Sequence, residues 1–245
     1  MHLLPDIFKN FPEIKAAQST RQGGVSAVPF DALNLSYRVG DAPGNVRENR
    51  RRFFGGLGFN ENQIVAGRQV HDDKICFTNV AGDFDEHDAF ITDTRGLILA
   101  VSVADCVPVL VFDKKNRAIA AIHAGWKGTA KRIVEKTLRK MTLEFGSRPE
   151  DCFAFIGTCI DECSYEVDAD VADLFPADFQ RFDPAKHKFF LDLKAANMSQ
   201  LLDFGLPEMQ IEVSPFSTFI DYDRFFSHRK SGGRTGRMMA AIGLI

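Results

Sequence analysis

No segment of this chain approaches the ~20 consecutive apolar residues needed to cross a bilayer. Its opening, MHLLPDIFKNFPEIK, has no basic leader followed by an apolar core of secretory length. The protein is therefore expected to be cytoplasmic, with no membrane partner. Pro- or Gly-rich linkers, internal repeats and low-complexity tracts are also missing, so residues 1–245 read as one domain large enough to bury a substantial core. A strong charge of one sign is absent too. The formal net charge is −3, which gives no bulk attraction to nucleic acid and points to small-molecule partners. Five cysteines, Cys76, Cys106, Cys152, Cys159 and Cys163, make no small-domain disulfide framework and read as reduced thiols.

Compact metal and phosphate signatures are likewise lacking. There is no CxxC or HExxH pattern. The acidic run GDFDEHD at 82–88 lacks the spacing and terminal glutamate of a calcium loop, and reads as solvated surface. KSGGRTG at 230–236 lacks the GxxxxGK[ST] order and precedes an apolar run, which excludes a P-loop.

What is present centres on residues 101–129, VSVADCVPVLVFDKKNRAIAAIHAGWKGT. Residues 107–112 and 117–122 are apolar runs separated by a polar turn, the pattern of a buried β-hairpin. Cys106 opens its first strand and His123 closes its second, so antiparallel pairing brings thiol and imidazole together. Further strands are expected at 14–21, 63–71 (ending on His71), 75–79, 89–93, 97–103, 152–156, 189–193, 210–213 and 238–244. Residues 22–45, punctuated by glycine and proline, read as a long irregular segment. Helices are expected at 46–58, where Arg50, Arg51 and Arg52 read as a solvated face, and at 129–145, 168–175 and 194–204. Strands outnumber helices and several are joined by hairpins. The fold class is α+β, a mixed, largely antiparallel sheet covered by helices.

His71, Cys106 and His123 stand at expected strand ends. Two imidazoles and a thiolate form a three-ligand set that leaves a fourth tetrahedral position open, as a catalytic zinc site requires. The same atoms fit a second chemistry, with Cys106 as nucleophile, His123 as base and Asp105 or another carboxylate as orienter. The two readings part over His71, which only the metal reading needs; a buried cysteine, a satisfied core histidine and a surface His71 remain the bland alternative. Basic residues flank these positions at Arg21, Lys127, Arg229, Arg234 and Arg237, and the glycine- and aromatic-rich settings of Lys127 and Arg229 suit an anionic group such as phosphate. A helix beginning after HAGWKGT would aim its N-terminal dipole near His123. Trp126 reads either as a stacking platform or as a packing anchor.

RQGGVS (21–26), LNLSYRVGD (33–41), RQVH (68–71), ADCVPVLVFD (104–113), AAIHAGWKGTA (120–130), IGTCIDECSYEV (156–167) and FFSHRKSGGRTGRMMAAIGL (225–244) together resemble the bacterial laccase-domain family. That family is known both as multicopper polyphenol oxidase and as purine nucleoside phosphorylase. The resemblance implies a monomer with zinc at His71, Cys106 and His123. It implies phosphorolysis of adenosine, inosine and methylthioadenosine, with adenosine deamination as a side activity. Arg21, Asn34, Lys127 and Arg229 become the expected phosphate or substrate contacts. The family is also linked to peptidoglycan-precursor editing, and its fold has been likened to a toxin with a Cys/His hydrolase site.

Three departures stand out. Ser164 follows Cys163 where the family often has paired cysteines, Ser217-Thr218 stands where Cys-Thr is common, and His228 replaces a common tyrosine. The first two remove sulfur ligands, and six histidines are few for laccase chemistry, so copper and polyphenol oxidation rank below zinc. An amidase-type hydrolase using Cys106 and His123 and a non-enzymatic nucleoside-binding protein are the other readings.

Overall fold

The computed structural model describes residues 2–245. The first half of the chain carries β1 (His2–Leu3), β2 (Ile14–Ser19), helix α1 (Pro43–Gly56), β3 (Ile64–Ala66), β4 (Ile75–Phe77), β5 (Gly82–Asp83), β6 (Ala89–Thr92) and β7 (Ile98–Val103). Next come the hairpin β8 (Val107–Asp113) and β9 (Ala118–Ala124), then helices α2 (Trp126–Ala130) and α3 (Ile133–Phe145). The remainder is β10 (Cys152–Ile156), β11 (Glu166–Val167), α4 (Ala169–Ala172), β12 (Gln180–Asp183), β13 (Lys188–Leu191), α5 (Leu193–Phe204), β14 (Ile211–Val213) and β15 (Met238–Leu244).

Two six-stranded sheets form, in the orders β1-β2-β15-β7-β3-β5 and β14-β10-β8-β9-β6-β4, with a small third sheet β11-β13-β12. Pairing is mixed and mainly antiparallel, with parallel pairs at β3–β5, β3–β7, β4–β6 and β10–β14. The expected α+β class with mixed, largely antiparallel pairing therefore holds, with two large sheets where one was expected.

The two sheets stack because their strands are apolar on both faces. In β8, Leu110 and Phe112 point toward the other sheet, meeting Leu99, Val101, Ala240 and Ile242. The alternate residues Val107, Val109 and Val111 pack with Ile133, Val134, Leu138 and Met141 of α3. In β7 the same two-residue alternation sends Ile98 and Ala100 outward against Phe53 and Phe54 of α1. The order of layers is α1, sheet, sheet, then α3 with α5. A fully buried Phe112 at the central interface contributes roughly 1.5–3 kcal/mol of transfer free energy.

Several local expectations need correction, and the helix expected at 168–175 is only the four-residue α4 (Ala169–Ala172). Helix α1 starts at Pro43, whose fixed φ suits the first helical turn, three residues before the expected start. Arg50 is half-buried, with its guanidinium 5.4 Å from the Tyr37 ring and 5.3 Å from the Phe54 ring, while Arg51 and Arg52 pair with Glu48. The helix expected at 129–145 is two helices broken by Arg132 at φ 60°, and the first opens at Trp126. The strand expected at 63–71 ends at Ala66, where Gly67 packs so tightly that a Cβ would sit 1.9 Å from the Phe84 carbonyl oxygen.

Candidate functional site

Hairpin register sets the first two ligand positions. Val107 pairs with Ala124 and Pro108 with His123, so Cys106 at the strand entrance lies beside the strand that carries His123. His71 comes from the loop after β3, in the left-handed conformation at φ 58°. Ligand atoms of His71, Cys106 and His123 all lie within 4.8 Å of one another. The two imidazoles meet edge to face, with ring centroids 4.8 Å apart.

Asp88 holds this arrangement. β6 pairs Ala89 with Ile122, which sets the preceding Asp88 against His123. The His123 backbone N–H donates to the Asp88 carbonyl at 2.7 Å. The Asp88 carboxylate is fully buried and accepts the His123 Nδ1–H at 2.7 Å, together with the backbone N–H groups of Val70, His71 and Asp72 at 3.0 Å each. An acidic residue within the run first read as solvated surface is therefore the most enclosed charge beside the site. Burial pushes the Asp88 carboxyl upward, but the hydrogen bond and charge of His123, joined by the backbone donors, hold it below the usual carboxylate range. With Nδ1 committed to Asp88, the Nε2 atom of His123 is left to face Cys106.

Burial by itself raises the Cys106 thiol, and the charge and hydrogen bond of His123, followed by those of His71, overcome that and lower it. Burial similarly depresses His123, and the Cys106 thiolate and Asp88 more than reverse it. Both shifts run in the direction of a thiolate–imidazolium pair. Two imidazoles and a thiolate, with no carboxylate among them, suit zinc or another borderline metal. The fit is visible in the backbone as well. A Cβ on Gly125 would lie 2.7 Å from His71 Nδ1 and 3.1 Å from Cys106 Sγ, so only glycine leaves those donors their space. Among the described residues this is the one cluster of three or more His, Cys, Asp or Glu side chains with converging ligand atoms.

The three residues sit in a cleft of about 490 Å³, whose walls include Arg38, Arg68, Tyr165, His228, Arg229 and Arg237. Of the basic residues singled out from the sequence, Arg229 and Arg237 are in this wall. Arg21 is not; its guanidinium bonds the Asp31 backbone and side chain and the Tyr222 carbonyl. Lys127 is outside the lining, exposed, with Nζ 5.3 Å from the Trp126 ring. Asn34 is fully buried, and its Oδ1 accepts the backbone N–H groups of Ser36 and Arg237. It acts on the cleft through Arg237. Asp105 is also committed, its carboxylate accepting the Thr218 hydroxyl at 2.6 Å and the Arg229 backbone N–H at 2.7 Å. The orienting partner of His123 is Asp88. Its sequence signal is an acid directly before the apolar run Ala89–Ile91, legible only with the β6–β9 register known.

Stacked mixed sheets thus carry a His/Cys/His cluster that could hold a metal ion, at a cleft with four arginines in its wall. The chain belongs to the multi-copper polyphenol oxidoreductase laccase family, whose model matches residues 15–245. It is 36% identical to a purine nucleoside phosphorylase of Bacteroides thetaiotaomicron, over 95% of this chain and 92% of that one. It is 40% identical to a purine nucleoside phosphorylase of Deinococcus radiodurans, over 93% and 88%. Among solved structures, the hypothetical protein YfiH of Bacillus licheniformis superposes with a TM-score of 0.91 at 33% identity, covering 100% of this chain and 96% of that one. YlmD of Geobacillus stearothermophilus gives 0.89 at 34% identity, covering 96% and 93%. No helix among the described residues is long and apolar enough to cross a membrane.

Two outcomes are expected at this site. Gly125→Ala and Asp88→Asn each lower zinc affinity by about 10–100-fold in competition with a chromogenic chelator, one by crowding the donors and the other by releasing His123. Retention of wild-type affinity in both would separate these residues from metal binding. In the metal-free protein, iodoacetamide labels Cys106 at pH 7 at close to its alkaline plateau rate, because the folded thiol is shifted down. An ordinary thiol of pKa ~8.5 is only about 3% thiolate at that pH. A Cys106-dependent rate at pH 7 of a few per cent of the plateau would contradict the ion pair.

Proposed function

We propose that this protein is a zinc-dependent purine nucleoside phosphorylase that splits inosine, adenosine and methylthioadenosine with inorganic phosphate, and works in the cytoplasm. One observation carries the reading: a three-donor centre of His71, Cys106 and His123 opens onto the same cleft as the cationic Arg229. The relatives' names point the same way. His71, Cys106 and His123 would hold the zinc, which when bound supplies Lewis acidity.

The remaining steps belong to the chain itself. Phosphorolysis needs a phosphate oxygen aimed at the ribose C1′ while the purine leaves and positive charge builds on the sugar. Arg229 suits the anion-holding role. Its Nη1 is tied to the Glu166 carbonyl at 2.9 Å and its guanidinium lies 5.1 Å from the Tyr165 ring, so it is presented in a fixed pose. Asp88 keeps the proton on His123 Nδ1, and with it the orientation of that ring. Adenosine deamination, the proposed side activity, has less support. Zinc deaminases pair the metal with a glutamate that moves protons, and the nearest substitute, Asp105, has its carboxylate engaged by Thr218 and Arg229.

A second reading has an observation in its favour. Asp88, His123 and Cys106 are ordered as orienter, base and nucleophile, which is the arrangement of a cysteine hydrolase acting on amides such as peptidoglycan precursors. Polyphenol oxidation, named in the family's description, draws less support from a single three-donor cluster.

Chromatography of inosine incubated with the zinc-loaded protein separates these readings. Hypoxanthine and ribose 1-phosphate are expected only when phosphate is present, with a loss of at least about 100-fold in Cys106→Ala. Hypoxanthine formed equally without phosphate, or none at all, would move the assignment to hydrolysis or to binding alone.

A further inference from the structure

Four arginines line the cleft, and they are not equivalent. Arg38 places Nη2 3.0 Å from an Asp83 carboxylate oxygen and 2.9 Å from one of Asp85. Arg68 lies 3.8 Å from Asp85 and 3.6 Å from Glu86. The acidic residues Asp83, Asp85 and Glu86, at the end of β5 and just after it, thus neutralise that part of the wall. Arg229 and Arg237 have no such partners: among the described residues neither guanidinium pairs with a carboxylate.

Arg237 is the more telling of the two because it is half-buried, and burial depresses its pKa. Its Nη1 donates to the backbone carbonyls of Thr235 at 2.9 Å and Gly236 at 3.1 Å, which fixes the plane of the guanidinium. Nη2 has only a long 3.5 Å contact with His228 Nδ1. Its main chain is pinned by the buried Asn34 amide. The charges of Cys106 and Asp105 act on Arg237 only from beyond contact distance, and burial outweighs them. A guanidinium partly withdrawn from water with no carboxylate in contact is stabilised when an anion completes it, and two guanidinium forks on one wall match the oxygens of a tetrahedral anion.

We propose that Arg237 and Arg229 form an oxyanion cradle that binds inorganic phosphate in the cleft, with Arg237 as its inner member. Identifying the anion as the co-substrate rests on the phosphorylase reading; the cradle rests on the charge distribution of the wall. Asn34 is a positioning residue for this site, since it reaches the anion only through the Arg237 backbone. Arg38 and Arg68, already paired, contribute little to anion affinity.

The test is calorimetric titration of inorganic phosphate into the zinc-loaded full-length protein, with folding of each variant checked by circular dichroism. Arg237→Gln is expected to weaken phosphate binding by about tenfold or more, Arg237→Lys to recover part of the loss, Arg229→Gln to weaken it less, and Arg68→Gln to leave it within about twofold. Steady-state kinetics supply a second readout. In Arg237→Gln the KM for phosphate rises while the KM for inosine is kept, a split that general loosening of the fold does not produce. Absence of phosphate binding in the wild type overturns the cradle, and so does equal loss in Arg68→Gln and Arg237→Gln. Phosphorolysis in the wild type that is unchanged in both Arg237→Gln and Arg229→Gln overturns it while leaving the phosphorylase reading intact. Phosphate binding that depends on Arg237 in a protein without phosphorolysis keeps the cradle and removes the phosphorylase reading.

Discussion

A fully buried carboxylate survives in a protein interior only when donors surround it, and Asp88 has four N–H groups on its two oxygens. Three of those donors are consecutive backbone groups of the loop that carries His71, and the fourth is the His123 ring. One side chain thus sets the pose of two of the three candidate ligands. It also holds His71 in a left-handed conformation, which costs of order 1–3 kcal/mol and persists only when neighbours over-determine it. The flanking parts of the loop have their own anchors, the Gln69 side chain on the Ser102 backbone and Asp72 and Asp73 on Lys131 and Lys136, but the backbone at Val70 and His71 itself is held by Asp88.

The third candidate ligand links the donor cluster to the anion side of the cleft. Cys106 follows Asp105, itself at φ 90°, and the Asp105 carboxylate reaches forward to Thr218 and to the Arg229 backbone. The rigid β8–β9 hairpin therefore carries Cys106 and His123 directly and tethers the C-terminal loop bearing Arg229. Asn34, from the long irregular segment after β2, holds the Arg237 backbone in the same way. The donor cluster and the cationic wall are parts of one braced structure, which is what positioning two reactants against each other demands.

Much of this was legible in the sequence where the signal was local. The hairpin and the last strand, residues 238–244, are continuous apolar runs bounded by turns, and both form where expected. His71 joins Cys106 and His123, although it does so from a loop and not from a strand end. What stayed hidden depended on tertiary register. Asp88 is one of several acids in its run, and only the pairing of β6 with β9 buries it against His123. Lys131 and Arg132 are good helix formers, so nothing local announces the break at Arg132. Arg21, Lys127, Arg229 and Arg237 look alike as basic residues within a few positions of glycines. Their differences arise from where the fold places Asp31 and Tyr222 for Arg21, Trp126 for Lys127, Glu166 for Arg229 and Asn34 for Arg237.

The central claim, that His71, Cys106 and His123 form one zinc centre, is tested most directly by X-ray absorption at the zinc edge on the protein as purified, with the metal content measured in parallel. The predicted result is one zinc per chain, with one sulfur at ~2.3 Å, two imidazole nitrogens at ~2.0–2.1 Å and one further light atom. A shell without sulfur, or several coppers per chain, would contradict it.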